Sequence, residues 1–479
     1  FLQLSRRSLL SFRSAGWRSF VRFNEKSSTS GEKASLAWRG PVPTATTATT
    51  NRNPWQHLGL VFEAPSAPVI AKKWEEEVKK SLLLKNVRLS SAKLADAGSV
   101  DILIVNGMIA QIGVSIDPPE PDTPQIDGEN ALVVPGFVDA HTHMDKTFLG
   151  LPWQPHSAGP TIREKVDNER RLLRTLQLDI KAQSEKQVRL HLSKGTTHVR
   201  THVDVSAEQG LTHVEAVLST RDTFAGLLDM QIVAFPQQGL ITNPGTAELM
   251  EEAVRLGADI VGGIDPSVIE RDPVRHLDTV FAIAERTGVG ADIHLHEPAE
   301  LGAFAVELIC ERTRALGMAG KVTISHVFCL GMVDDNRLAG LLEQLATNDI
   351  SIMTHAPGAM AFPPVSKLAE AGVRMCSGSD GIRDAWNPYG NADMLERAMI
   401  LSYRNNFRRD DELERMLEIC TFGGASVMGA TDYGLDVGCA ADLVLLDGET
   451  PTEAIVTRPA RRLVLKAGRV VAENGRCVV

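Results

Sequence analysis

Apolar and polar positions follow three regimes along the 479-residue chain. From Leu82 the pattern is strand-like. Leu82–Leu89 and Val100–Val105 flank a polar loop, Asn106-Gly107 is a hairpin turn signal, and Met108–Ile112 returns. The C-terminus has the same style, with Ala441–Leu446, Arg462–Lys466 and Arg469–Ala472 as short strands and Ala467-Gly468 as a turn. The middle alternates strands with helices. Strands are predicted over Gly136–His143, Thr197–Val205, Asp229–Phe235, Asp259–Ile264, Gly290–His296, Lys321–Val327, Ile350–His355 and Val373–Ser379. Helical spacing appears over Ile162–Lys194, Ala247–Leu256, Val274–Thr287, Ala299–Leu316 and Asn336–Ala346. Eight strands with intervening helices suit an α/β fold of the (β/α)8 TIM-barrel kind. An open doubly wound sheet is the alternative, but no strand runs into Gly-x-Gly-x-x-Gly. The two chain ends would form one small β-sandwich. The expected division is an extension over 1–80, a sandwich over 81–135 plus 430–479, and a barrel over 136–429.

Composition narrows the class. Hydrophobic content of 43% and charged content of 23% are ordinary for a globular protein. A net charge of −10 argues against a nucleic-acid binder that works by neutralising phosphates. No apolar run reaches the length of a membrane span. The six cysteines are dispersed without a Cys-x-x-Cys, which suits buried thiols in an intracellular, cytoplasmic protein. The first 60 residues hold nine Lys or Arg and two acids, Glu25 and Glu32, with abundant Ser and Thr. That is the composition of a mitochondrial-type transit peptide or of a disordered tail.

Candidate chemistry sits where a barrel would put it, at the C-terminal ends of its strands. The first strand ends in His141-Thr-His143, and alternation points both imidazoles to one side. The second carries His198, Arg200, His202 and Asp204 on one face. The fifth ends His294-Leu-His296-Glu297, the sixth Ser325-His326 and the eighth Ser379-Asp380. Any one of these residues alone would be a core histidine, a cap or a solvated acid. Together they supply imidazoles and a carboxylate for a metal with an open position, and Glu297 as a general base. The fourth strand contains no Lys, so a bridging carboxylated lysine is not available there. One metal ion is expected.

These blocks resemble the amidohydrolase superfamily, and within it the cytosine deaminase type of mononuclear metal deaminase. The resemblance covers about Leu82 to the C-terminus. It rests on Pro135-Gly-Phe-Val-Asp-Ala-His141-Thr-His143-Met-Asp145, His198-Val-Arg-Thr-His202-Val-Asp204, Gln231-Ile-Val-Ala-Phe-Pro-Gln237, Asp292-Ile-His294-Leu-His-Glu297, Ser325-His326 and Ser379-Asp380 followed by Trp386. It implies a barrel with a sandwich built from both chain ends. It implies that His141, His143, His294 and Asp380 hold one divalent ion, Fe2+ or Zn2+. Glu297 would carry a proton from water to a ring nitrogen, His326 would orient the water, and Asp380 would accept its proton. Gln237 would present its amide to a ring, and Trp386 would wall the pocket. The partners would be a small nitrogen heterocycle and water, the product ammonia, and the assembly a homo-oligomer.

One departure lies where the ring is recognised. Cytosine deaminases carry two consecutive Asp at the end of strand eight, and here the run is Ser379-Asp380-Gly381. The reaction class is therefore expected to hold while cytosine itself is in doubt. An aminopyrimidine, an amino-triazine or an N-alkylated amine would fit. A cyclic-amide or amidine hydrolase on the same fold and a non-catalytic metal-binding barrel are the rivals. The zinc deaminases built on Pro-Cys-x-x-Cys are excluded, because that motif is missing.

Overall fold

The computed structural model describes residues 81–90 and 98–479, all within one compact unit, Pro65–Val479. The extension over 1–80, with its transit-peptide reading, lies outside the described residues. The chain opens with β1 (Ser81–Leu89), β2 (Val100–Val105), β3 (Met108–Gly113) and β4 (Gln125–Pro135). Then follow β5 (Phe137–Thr142), β6 (Thr196–Asp204), β7 (Asp229–Phe235), β8 (Ile260–Ile264), β9 (Gly290–Leu295), β10 (Val322–His326), β11 (Ser351–Met353) and β12 (Met375–Cys376). It closes with β13 (Leu443–Leu446), β14 (Arg461–Lys466), β15 (Arg469–Glu473) and β16 (Arg476–Cys477).

β5 to β12 pair in sequence order, all in parallel, with helices between them. The remaining eight strands form a second sheet in the order β16-β15-β14-β13-β4-β1-β2-β3. The architecture is the expected (β/α)8 barrel with a smaller sheet built from both chain ends. Alternation explains why β13 is apolar at every position. On β13, Leu443 and Leu445 join one apolar cluster while Val444 and Leu446 join the barrel's core. That sheet curls over the first cluster. The Ile109 amide donates to the Cys439 carbonyl oxygen (2.8 Å), and the Ala441 amide to that of Gly107 (2.8 Å). Asn106-Gly107 has positive φ at both positions, the geometry that suits a two-residue hairpin.

The barrel is closed by a seam. The Ala140 amide donates to the Ser377 carbonyl oxygen (3.0 Å), and the Asp380 amide to that of His141 (2.8 Å). Asp139 braces the seam from outside, accepting from the Ser379 amide (2.9 Å) and facing His191 Nε2 at 2.9 Å. Gly378 lies against β5, where a Cβ would stand 2.3 Å from the His141 carbonyl oxygen.

Two expectations need correction. The helical pattern over Ile162–Lys194 is two helices, Ile162–Leu176 and Ile180–Ser193. Gln177 takes a left-handed conformation, and the Asp179 side chain then caps the second helix at the Ala182 amide (3.0 Å). The strands expected over Ile350–His355 and Val373–Ser379 shrink to β11 and β12, because the chain beyond each leaves the ladder to form the site. Among the described residues no helix is long and apolar enough to cross a membrane.

Gly378→Ala is expected to destabilise the chain by about 1–3 kcal/mol through overpacking of the seam. The urea midpoint measures it, and an unchanged midpoint would show that the seam yields freely.

Candidate metal centre and its pocket

β6 shows how the barrel interior is built. Its nine residues are all buried, and His198, Arg200, His202 and Asp204 stand at successive heights on one face. His198 lies lowest, facing Asp229 at 3.1 Å in a cluster where Lys466 bridges Asp229 (2.6 Å) and Asp442 (2.5 Å). Arg200 reaches Asp292 (3.1 Å) and Gln231 (3.0 Å). His202 packs 4.0 Å from the His141 ring, and Asp204 meets Lys146 at the mouth (2.7 Å). An interior that is polar at every level must satisfy each group or leave it for a ligand.

Seven of the thirteen histidines gather at that mouth: His141, His143, His202, His294, His296, His326 and His355. His141 Nε2 and His143 Nε2 lie 3.7 and 3.3 Å from Asp380 Oδ1. Tetrahedral ligands about 2.0–2.1 Å from a zinc ion stand roughly 3.3 Å apart, so these separations suit one ion. The tautomer of His141 suits it too. Ser325 Oγ donates its only hydrogen to Asp292 (2.7 Å), so at 3.0 Å it can only accept from His141 Nδ1–H. That leaves the lone pair on His141 Nε2, a buried atom with no hydrogen-bond partner. Both ring nitrogens of His294, buried and stacked on Phe235 at 4.1 Å, also lack partners. Burial holds His141, His202, His294 and His326 well below the ordinary imidazole range, so their rings are neutral, as metal ligands must be. Burial opposes ionisation of Asp380, but its hydrogen bond with His143 and the nearby rings hold its carboxyl well below the usual range.

Glu297 follows β9. Its Oε1 accepts from the Ser267 and Val268 amides (2.6 and 2.7 Å), while its buried Oε2 has no partner. Burial pushes its carboxyl above the ordinary value of 4.5. Neighbouring His296 is fixed by Asp265, which accepts from its amide (2.7 Å) and faces Nδ1 at 2.8 Å. His296 in turn stacks on His326 at 4.4 Å. His326 and Val327 both have positive φ, a strained exit from β10 that commonly marks functional sites.

The structure places the two expected pocket residues less simply. Gln237 is buried, but Lys146 donates to its Oε1 (3.0 Å) and its Nε2 donates to Glu169 (2.7 Å), so both ends of the amide are already engaged. Trp386 lies under Lys165, whose Nζ is 5.6 Å from the ring centroid, and its indole Nε1 has no partner. Sequence reasoning missed Lys146, Glu169, Asp384 and His355. Lys146, fully buried, is held protonated by Asp204 and Glu169 against the cost of burial. Glu169 and Lys165 both come from the helix Ile162–Leu176, which thus lies over the mouth. The absence of a side chain at Gly381 has a counterpart. A Cβ there would stand 2.0 Å from Asp384 Oδ2, so the Asp384 carboxylate occupies that space. Asp384 Oδ1 is held by the Trp386 and Asn387 amides (2.8 and 2.9 Å), and burial pushes its carboxyl up. Only spacing from His143 singles out Lys146 in the sequence, and nothing local singles out Asp384.

Residues 125–472 match the model of the Amidohydrolase family. The N-isopropylammelide isopropyl amidohydrolase of Pseudomonas sp. (strain ADP) is 33% identical over 395 residues, 81% of this chain and 97% of that one. The crystal structure of N-isopropylammelide isopropylaminohydrolase from Burkholderia multivorans ATCC 17616 is 46% identical, covers 83% of this chain and 100% of its own, and superposes with a TM-score of 0.80. That of 5-methylcytosine deaminase from Klebsiella pneumoniae, bound to 5-fluorocytosine, is 28% identical over 82% and 97%, with a TM-score of 0.71. The chain belongs to the amidohydrolase family, and is a hydrolase with relatives that act on C–N bonds.

Proposed function

We propose that the protein hydrolyses the exocyclic C–N bond of an amino-substituted, oxo-bearing nitrogen heterocycle, releasing ammonia or a small alkylamine. One divalent ion, Fe2+ or Zn2+, would be held by His141, His143, His294 and Asp380. Bound there, such an ion lowers the pKa of a water to about 7. The observation that carries the reading is Glu297, a buried carboxyl next in sequence to His296 with Oε1 locked by two amides and Oε2 bare. Oε2 takes a proton from the attacking water and gives it to the ring nitrogen. His326 accepts a hydrogen bond from that water, and Asp380 takes its remaining proton. Asp380 hands that proton to the exocyclic nitrogen, and the amine leaves as the ring carbon becomes a carbonyl. Water is consumed and no redox partner is needed.

The pocket favours a ring that offers both N–H groups and a carbonyl. Glu169 Oε2 and Asp204 Oδ2 are oxygens without partners, on carboxyls that burial pushes up and the Lys146 ammonium pulls back down, and Trp386 Nε1–H is a donor without a partner. Buried polar atoms left unpaired are costly, so a ligand that matches them gains affinity. Lys146 and Gln237 hold the two carboxyl groups in place. Cytosine is less favoured than an oxo-triazine carrying an amino or alkylamino group. The acid beside Asp380 comes here from Asp384 and not from position 381, and the relatives named for N-isopropylammelide share 33% and 46% of their residues with this chain. Amine release should be measured across N-isopropylammelide, aminotriazines, aminopyrimidines, pterins and cyclic ureas, with protein of known metal content. Turnover of a cyclic urea and of no amino-heterocycle would overturn the reading.

Glu297→Gln should lower kcat by about 10²–10⁴-fold with metal content unchanged. Because Glu297 must be ionised to accept the proton, kcat/KM should fall with decreasing pH through a value above the ordinary 4.5. In Glu297→Gln that acid limb should vanish. Trp386→Phe keeps the ring and removes one neutral hydrogen bond, so KM should rise by up to about tenfold with kcat little changed.

A further inference from the structure

His355, at the end of the segment that leaves β11, has no part in the chemistry above, yet its ring lies between two groups that do. Its Nε2 is 3.5 Å from Asp380 Oδ2, and its Nδ1 is 3.2 Å from His326 Nδ1. The two oxygens of Asp380 are thus divided. Oδ1 faces His141 and His143, and Oδ2 faces His355. The His355 and His326 rings meet edge to face, with planes at 90°. Arg397 fixes the backbone on both sides of this contact. It donates to the carbonyl oxygens of His355 (2.7 Å) and Ser379 (3.3 Å).

Hydrogen inventory then decides the tautomers. An ionised carboxylate only accepts, so the nitrogen facing Asp380 Oδ2 is favoured as N–H, since a lone pair there would be repelled. A neutral His355 with Nε2–H has its lone pair on Nδ1. That lone pair can only accept, and the atom 3.2 Å away is His326 Nδ1, which must then carry a hydrogen. A neutral His326 with Nδ1–H presents a lone pair on Nε2, which is buried and has no partner. The opposite tautomer of His355 would put a hydrogen on His326 Nε2 and turn it from acceptor to donor. We infer that His355 is a positioning residue: by relaying the carboxylate of Asp380 to His326 Nδ1, it keeps His326 Nε2 an acceptor towards the reacting water. The inference rests on the proposed role of His326, but the tautomer it assigns can be read without any substrate.

The test uses the full chain labelled with 15N-histidine, metal-free and with Zn2+ added. Long-range proton–nitrogen correlation spectra distinguish Nδ1–H from Nε2–H, and the His326 signals are identified by their loss in His326→Gln. The expected result is Nδ1–H on His326 in the wild type and a shift to Nε2–H in His355→Phe. On the substrate found by the amine-release screen, His355→Phe should lower kcat by about 10–100-fold while KM stays within about twofold. His355→Gln, whose amide oxygen can accept from His326 Nδ1–H, should retain the wild-type tautomer and recover part of the rate. It also serves if the Phe variant folds poorly. Nε2–H on His326 in the wild type, or no change of tautomer in His355→Phe, would overturn the inference. So would a second Zn2+ per chain that His355→Phe removes, because His326, His355 and Asp380 would then be ligands of their own ion. If no amino-heterocycle is turned over but the tautomers behave as stated, the proposed function fails and the relay stands.

Discussion

The hydrogen bond from the Asp380 amide to the His141 carbonyl oxygen closes the barrel, and the site depends on it. It sets the carboxylate of the last strand's extension beside the His-x-His of the first. Both residues lean on the same few contacts. Gly378 lets the two backbones approach, Asp139 ties the seam to the helix Ile180–Ser193, and Arg397 holds the carbonyls of Ser379 and His355. A seam that opened slightly would separate Asp380 Oδ1 from two imidazoles at once.

Closure also buries the interior, and burial sets the electrostatics. Burial keeps His141, His202, His294 and His326 neutral by disfavouring the charged form, whereas Asp265 pulls His296 the other way. The same burial acts in the opposite sense on Glu297, whose carboxyl is pushed up towards the range in which it can exchange a proton. Asp380 escapes because it alone faces several rings at close range. Burial thus drives the imidazoles and Glu297 in opposite directions, while the contacts of Asp380 overcome it. Lys146 plays the corresponding part in the pocket, where its buried ammonium lets Asp204 and Glu169 lie near each other.

The loop after β8 does more than connect. Asp265 orients His296, the Ser267 and Val268 amides lock one oxygen of Glu297, and Glu270 accepts from the Ile241 and Thr242 amides (both 3.0 Å) in the loop that follows Gln237. A single short segment therefore fixes both Glu297, the proposed proton carrier, and the loop that follows Gln237.

Much of this was legible in the residues themselves. Apolar alternation and turn signals mark a barrel between two sheet-forming ends, because strand and helix periodicities are local properties of the chain. His-x-His, the His294-to-Glu297 spacing and Ser379-Asp380 mark a candidate metal site, because each motif lies at one strand end. Local pattern could not show that Gln237 is already bound at both ends, that Lys146 and Glu169 meet there, or that the missing side chain at Gly381 is answered by Asp384. Nor could it show that His355 stands between Asp380 and His326. Those facts depend on distances between residues tens to hundreds of positions apart, which only the closed barrel brings within hydrogen-bonding range. The sequence by itself determined which atoms could hold a metal and carry a proton. The tertiary structure decided which of them come together, which are engaged elsewhere, and which nitrogen of the His141 ring keeps its lone pair.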